Sequence, residues 1–359
     1  MWILKGDTDY VSVIPPFEDL THWTIFQAPK GDKGDTGDTG DTGAAGDTGP
    51  QGESGVAGSI TSLTNALVES DSLYIGHDPS GTTDDATYNV AIGATALDAI
   101  TTGGSNVAVG YDALTANTEG TNNTAIGFEA LYYNKTGYNN TASGASALRE
   151  NTTGNNNTAS GVGALYLNET ANNNTAIGFE ALYLNETGEY NTASGSYALR
   201  TNDGDYNTAS GYRALYLNDT GDYNTASGVD ALYTNTEGNG NTASGFKALY
   251  LNDTGDYNTA SGVDALYTNT EGDYNTASGV DALRGNTKGN NNTASGVDAL
   301  YTNTEGSYNT ASGYRALYKN ISGGNNTASG HSALRDNETG SDNTAIGWDA
   351  LNSNIGGSY

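Results

Sequence analysis

The chain has 359 residues, 50 of them glycine, with 35% hydrophobic residues and a formal net charge of −29. An apolar share this low argues against an ordinary globular core and leaves disorder or a repeat architecture, between which periodicity decides. The charge repels phosphate backbones and anionic lipid heads, so neither nucleic acid nor membrane insertion is expected.

Residues 1–30 read as an attachment segment. They hold two of the three tryptophans, Trp2 and Trp23, together with Phe17 and Phe26, in a stretch too short for a stable core of its own. Such a segment is expected to dock on a larger assembly or to pack into a small trimeric knob. Pro15-Pro16 imposes an extended break. After Met1-Trp2-Ile3-Leu4 the sequence turns charged, short of the apolar run a secretory signal needs, and no stretch approaches a membrane span. This favours assembly in the cytoplasm and release by lysis.

Residues 31–60 carry ten unbroken G-X-Y triplets, with glycine at Gly31, Gly34, Gly37, Gly40, Gly43, Gly46, Gly49, Gly52, Gly55 and Gly58. Only glycine fits the axis where three polyproline-II chains meet, so the period predicts a collagen-like triple helix and three chains. Pro50 is the only proline here, and such a stalk should need clamping at both ends. Residues 61–88 form a neck and first coil. Ile60, Leu63 and Leu67 follow an a/d-like spacing for one heptad, or the segment is a plain linker.

From Asn89 to Tyr359 one unit recurs, with consensus N-T-A-S-G-V-D-A-L-Y-x-N-T-x-G-D-Y. Its reference glycines, from Gly93 to Gly347, are 17 residues apart, except for one step of 16 from Gly195 to Gly211. All sixteen units have asparagine four before that glycine, alanine two before, alanine three after and leucine four after. Recurrent glycines and N-T-x-G turns exclude helices. Two short strands and two turns per 17 residues predict an all-β, parallel β-solenoid of sixteen coils, with like residue stacked over like. Asparagines such as Asn140, Asn157 and Asn191 are expected to form a hydrogen-bonded ladder, and leucines such as Leu148, Leu165 and Leu232 an internal row. The missing residue is assigned to the turn at Asn202-Asp203-Gly204, where a deletion leaves strand register intact. The residue before the reference glycine is Ile or Val in five units and serine in eleven, and the apolar versions are expected to strengthen packing.

The segments Asn89-Val90-Ala91-Ile92-Gly93 and Asn343-Thr344-Ala345-Ile346-Gly347 resemble the N-S-V-A-I-G units of trimeric autotransporter adhesin heads. The resemblance covers roughly three quarters of the chain. It implies homotrimers of left-handed parallel β-rolls. This unit departs from the family in length and in carrying Ser for Ile in most copies. No segment reads as the secretion signal or membrane barrel of an autotransporter. N-T-A-x-G-x-x-A-L arrays joined to collagen-like stalks look like bacteriophage fibre proteins, some of which end in a self-cleaving chaperone domain. The flush end of the array at Tyr359 suits removal of such a domain.

No nucleophile, histidine and carboxylate come together in the sequence. His22, His77 and His331 are scattered and there is no cysteine, so no catalysis, metal or cofactor is expected. Tyrosine rows five and twelve after the glycine either pack between protomers or stack on sugars. Trp348, Asp349 and Tyr359 at the distal coil are receptor-contact candidates, or a cap on the core. The expected function is that of a homotrimeric bacteriophage tail or side fibre in the virion, with its N-terminus on a baseplate or tail protein and its distal end on a bacterial surface glycan or protein. A triple helix rising about 3.1 Å per residue gives a stalk of roughly 90 Å. Coils spaced at about 4.7 Å give a shaft of roughly 75 Å. The alternatives are a bacterial surface adhesin or extracellular filament, and an ice-binding solenoid using the Thr row of Thr124, Thr141 and Thr158.

Overall fold

The computed structural model describes Ile3–Lys5, Val11–Val13 and residues 66–76, 79, 83 and 85–358. The chain divides into two units, Met1–Val56 and Ala57–Tyr359. In the first, β1 (Ile3–Lys5) and β2 (Val11–Val13) pair antiparallel, with Ile3 opposite Val13. The candidate attachment residues Trp2, Phe17, Trp23 and Phe26, the collagen glycines Gly31 to Gly58, and Tyr359 lie outside the described residues.

The second unit opens on an antiparallel hairpin of β3 (Ala66–Glu69) and β4 (Ser72–Ile75). Its two-residue turn, Ser70-Asp71, has φ of 48° and 57°, the doubly left-handed turn whose twist matches that of the flanking strands. Leu67 therefore lies in a strand and not on a heptad seam, because the hairpin gives the neck a sheet edge to build on. From β4 onward the pairing is parallel. β4 pairs with Val90–Ile92, which pairs with Val107–Val109, and the ladder continues coil by coil to Thr344–Ile346. This is an all-β parallel solenoid of sixteen coils, with no helix among the described residues.

Each coil has one three-residue strand, where two strands were expected. A second ladder exists only across seven coils, linking Leu167, Leu184, Thr201, Leu217, Thr234, Leu251 and Thr268. The reason lies in the arm that follows the glycine. Its alanine and leucine are consecutive and both fully buried, as in Ala231-Leu232, whereas an extended strand would turn them to opposite sides. The chain turns instead. The residue two after the glycine and the leucine are left-handed, with φ of 55° at Asp230 and 49° at Leu232.

The core is thin: per coil, the strand alanine and the Ala-Leu pair. The Ile and Val residues before the reference glycine do not join it. Ile92, Ile126 and Ile177 are 41%, 46% and 48% exposed, because a three-residue strand aims only its middle side chain inward. They belong to the outer face, so any packing they strengthen lies outside the coil's own core. The reference glycine itself is fixed by geometry. At Gly228 φ is 134°, and a Cβ would lie 2.5 Å from the carbonyl oxygen of Gly245 in the next coil.

Asparagine supplies what the small core lacks. Two rows are fully buried, four before the glycine and, from Asn117 to Asn337, seven after it. In the first, Asn241 accepts the backbone N–H of Asn258 on its Oδ1 at 2.9 Å and donates from Nδ2 to the Gly255 carbonyl at 2.7 Å. Asn140, Asn157 and Asn191 do the same in their coils. In the second, Asn252 Nδ2 donates to Asn235 Oδ1 at 2.7 Å and to the Gly255 carbonyl at 2.8 Å. Leu148, Leu165 and Leu232 form the internal row. The 16-residue coil behaves as expected: Thr192 stays opposite Thr208, and the loss is absorbed where Asn202 Nδ2 reaches Gly204 two residues on instead of three.

Candidate functional site

The solenoid presents two different surfaces. The first is the strand face, built from the residues three and one before each reference glycine. Thr141, Ser143, Thr158 and Ser160 point outward, and their counterparts repeat in register along the shaft. Across all sixteen strands these 32 positions hold only Thr, Ser, Val and Ile. A chain with net charge −29 thus has one long face without a charged group.

The second surface lies on the arm after the glycine and is aromatic and charged. Five residues after the glycine, tyrosines stack in line: Tyr216 on Tyr233, Tyr233 on Tyr250 and Tyr250 on Tyr267, each with centroids 5.0 Å apart. Parallel coils hold equivalent rings one coil spacing apart, so stacking follows from register. Burial pushes the pKa of Tyr233 and of Tyr250 above its ordinary value. Arginine replaces tyrosine in this row at intervals. Arg284 lies 5.0 Å over Tyr267 and 5.7 Å over Tyr301, and Arg200 lies 5.1 Å over Tyr183 and 6.0 Å over Tyr216. Burial disfavours the charge of Arg200, but its hydrogen bond to Glu180 at 2.9 Å together with the charge interactions with Tyr216, Glu180 and Tyr183 raises the pKa overall.

Twelve residues after the glycine, or eleven in the shortened coil, Tyr190, Tyr206 and Tyr223 form an exposed stack with spacings of 4.9 and 5.0 Å. It runs unbroken through the shortened coil, as the alignment of Tyr206 with this row requires. Two residues after the glycine, Asp264, Asp281 and Asp298 recur in adjacent coils. Burial raises the pKa of Asp281, Arg284 opposes this, and the two neighbouring aspartates reinforce it.

At the distal coil Trp348 is 72% exposed and lies flat on His331, with centroids 4.0 Å apart and planes 3° apart. His331 in turn meets Tyr314 at 5.0 Å. Asp349 follows Trp348 on the same coil and donates its backbone N–H to the His331 carbonyl at 2.9 Å. Trp348 therefore tops a three-ring stack one residue after the glycine. An open cavity of about 400 Å3 lies on the flank near Arg200, lined by Tyr197, Tyr212, Tyr216 and Tyr233. The sequence reading missed it, although Tyr197 is the one aromatic residue two after a reference glycine. Among the described residues no three His, Cys, Asp or Glu side chains come together to hold a metal ion. No known protein family matches this chain, and no curated protein is similar to it.

Proposed function

We propose that this chain is an architectural fibre subunit. Three copies join through the collagen-like stalk, and their left-handed solenoids pack with strand faces toward a common axis. Residues 1–30 attach to a larger particle, best read as a bacteriophage baseplate or tail protein. The shaft and its distal end meet a bacterial surface glycan or protein. The observation that carries this reading is the uncharged strand face. Charges brought near a threefold axis from three acidic chains would repel and pay desolvation, so a face kept free of them suits close packing. The ten G-X-Y triplets support the number three.

Cryo-electron microscopy of the protein in its source tests this. Three-chain rods joined at the Met1 end to a phage tail are the expected result. Rods growing from a cell envelope, or head-to-tail filaments, would favour the adhesin or filament instead, and monomers would defeat the trimer.

A second reading draws on the same face. Flat Thr and Ser rows repeating at the coil spacing, exposed in the single chain, are a surface on which ordered water can register. Thermal hysteresis of the assembled protein decides it: no freezing-point gap, with the face covered in the trimer, removes ice binding.

A further inference from the structure

We infer that the flank of the shaft at the shortened coil carries a carbohydrate site, for a pyranose unit of a neutral glycan. This deepens the surface-attachment reading above and rests on it.

Elsewhere the tyrosine row is closed: Tyr233, Tyr250 and Tyr267 stack at 5.0 Å, and where arginine interrupts it, as at Arg149 and Arg284, the guanidinium lies over the rings on either side. The coil that begins at Gly195 breaks the pattern twice. Arg200 stands where Tyr183 and Tyr216 stand in the coils on either side. Tyr197 stands where other coils carry a charged or small residue, with a left-handed φ of 60°. Tyr197 meets its neighbours edge-on, Tyr212 at 6.1 Å and 80° and Tyr216 at 6.5 Å and 64°. The cavity of about 400 Å3 lies among these rings and the two arginines. That volume falls in the range of small-molecule sites.

The chemistry of this lining suits a sugar. Tyr212, 45% exposed at the rim, offers an apolar surface to the C–H face of a pyranose, and the tyrosine hydroxyls and guanidinium N–H groups supply hydrogen bonds for its hydroxyls. The donors are held in place: Arg200 by Glu180 at 2.9 Å, and Arg213 by Asp230 at 2.8 Å, the latter aspartate almost fully buried. Two cations and two carboxylates cancel, and the chain at large is acidic. The pocket therefore offers no net attraction for a uronate or sulfate, which selects a neutral ligand.

The test is binding of the full chain to a microarray of neutral and acidic microbial glycans, with affinities of the ligands found measured by titration calorimetry. Tyr197→Asp and Arg200→Tyr each install a residue common at that position, aspartate in six coils and tyrosine in nine, so both variants should keep the fold. Each is expected to weaken binding at least tenfold with unchanged thermal unfolding, while Arg284→Tyr leaves binding intact. Wild-type affinity in both variants overturns the site, as does a preference for acidic glycans. Absence of glycan binding by a chain that still adheres to bacterial cells overturns the site and spares the fibre reading; loss of adhesion as well defeats both.

Discussion

The buried asparagine ladder is the feature whose removal says most about how so thin a core stays folded. Asn241→Ala in mid-array removes three hydrogen bonds and a weak fourth, from its Nδ2 to Asn235 Oδ1 at 3.5 Å, whose acceptor keeps Asn252 as donor. The Oδ1 of Asn241 accepts the backbone N–H of Asn258 at 2.9 Å and its Nδ2 at 3.2 Å, and the Nδ2 of Asn241 donates to the Gly255 carbonyl at 2.7 Å. The Gly255 carbonyl keeps a donor in Asn252, and the Nδ2 of Asn258 keeps Gly272 as acceptor. The Asn258 N–H loses its partner inside a fully buried site. A buried orphan costs about 1–3 kcal/mol, and each ordinary lost bond about 0.5–1.5. The expected total is therefore about 2–6 kcal/mol. Urea unfolding followed by circular dichroism measures it, and amide exchange at Asn258 locates it. Asn241→Asp is the internal control. Its carboxylate still accepts from Asn258 but sets an anionic oxygen against Gly255, so it should destabilise at pH 7 and recover in part where the acid protonates and donates again. An alanine variant within about 0.5 kcal/mol of the parent, the range of an ordinary surface change, would refute the ladder's role.

Three further outcomes follow from the geometry. Gly228→Ala should cost about 3 kcal/mol or more, because φ is 134° and the added Cβ would sit 2.5 Å from Gly245 O, while Gly285→Ala should cost far less, since its φ is not left-handed and Leu251 and Thr268 occupy the equivalent place in other coils; equal melting points would contradict this. In the proposed trimer, Thr259→Lys on the strand face should shift the assembly toward smaller species in sedimentation, whereas Tyr257→Lys in the exposed tyrosine row should not. The hydrogen bond from Arg335, helped by Lys319, holds the Asp336 carboxyl down to about 2. Its folded pKa lies below the unfolded value near 3.9, so its contribution, on the order of 1–2 kcal/mol, is present above about pH 4 and lost as pH falls toward 2. The stability gap between the parent and Asp336→Asn should shrink over that window in acid titrations of unfolding.

Stacked repeats make some features readable from one chain. Each invariant position samples the same environment sixteen times, so the buried asparagines, the alanine row and the leucine row stood out without any alignment. The tolerated deletion was readable for the same reason, since only a turn loses a residue without breaking the Thr192–Thr208 register. The candidate site was less legible. Tyr197 stands alone among charged and small residues, an oddity that was not singled out, and nothing in one sequence says that its ring meets Tyr212 edge-on beside a cavity. Trp348 was visible as the array's only tryptophan, while its stack on His331 depended on both residues falling one after their glycines, a row not followed in the reading.

The strand count failed for a reason that the unit itself contains. Alternation rules assign an extended arm wherever turn residues leave room for one, and leucine is not a residue from which a left-handed turn is read. Yet every unit places alanine and leucine side by side, and two adjacent inward side chains contradict a strand. Left-handed backbone at a non-glycine residue costs roughly 1–2 kcal/mol. Full burial of a leucine returns about 1.5–3 kcal/mol, which glycine at the same place would forgo. The two terms are of like size, so the coil keeps leucine at a φ near 50° and gains a core row at little net cost. The narrow coil thus obtains two inward residues from one tight bend, and the outward positions on either side are left free for the tyrosine, arginine and carboxylate rows that line the flank.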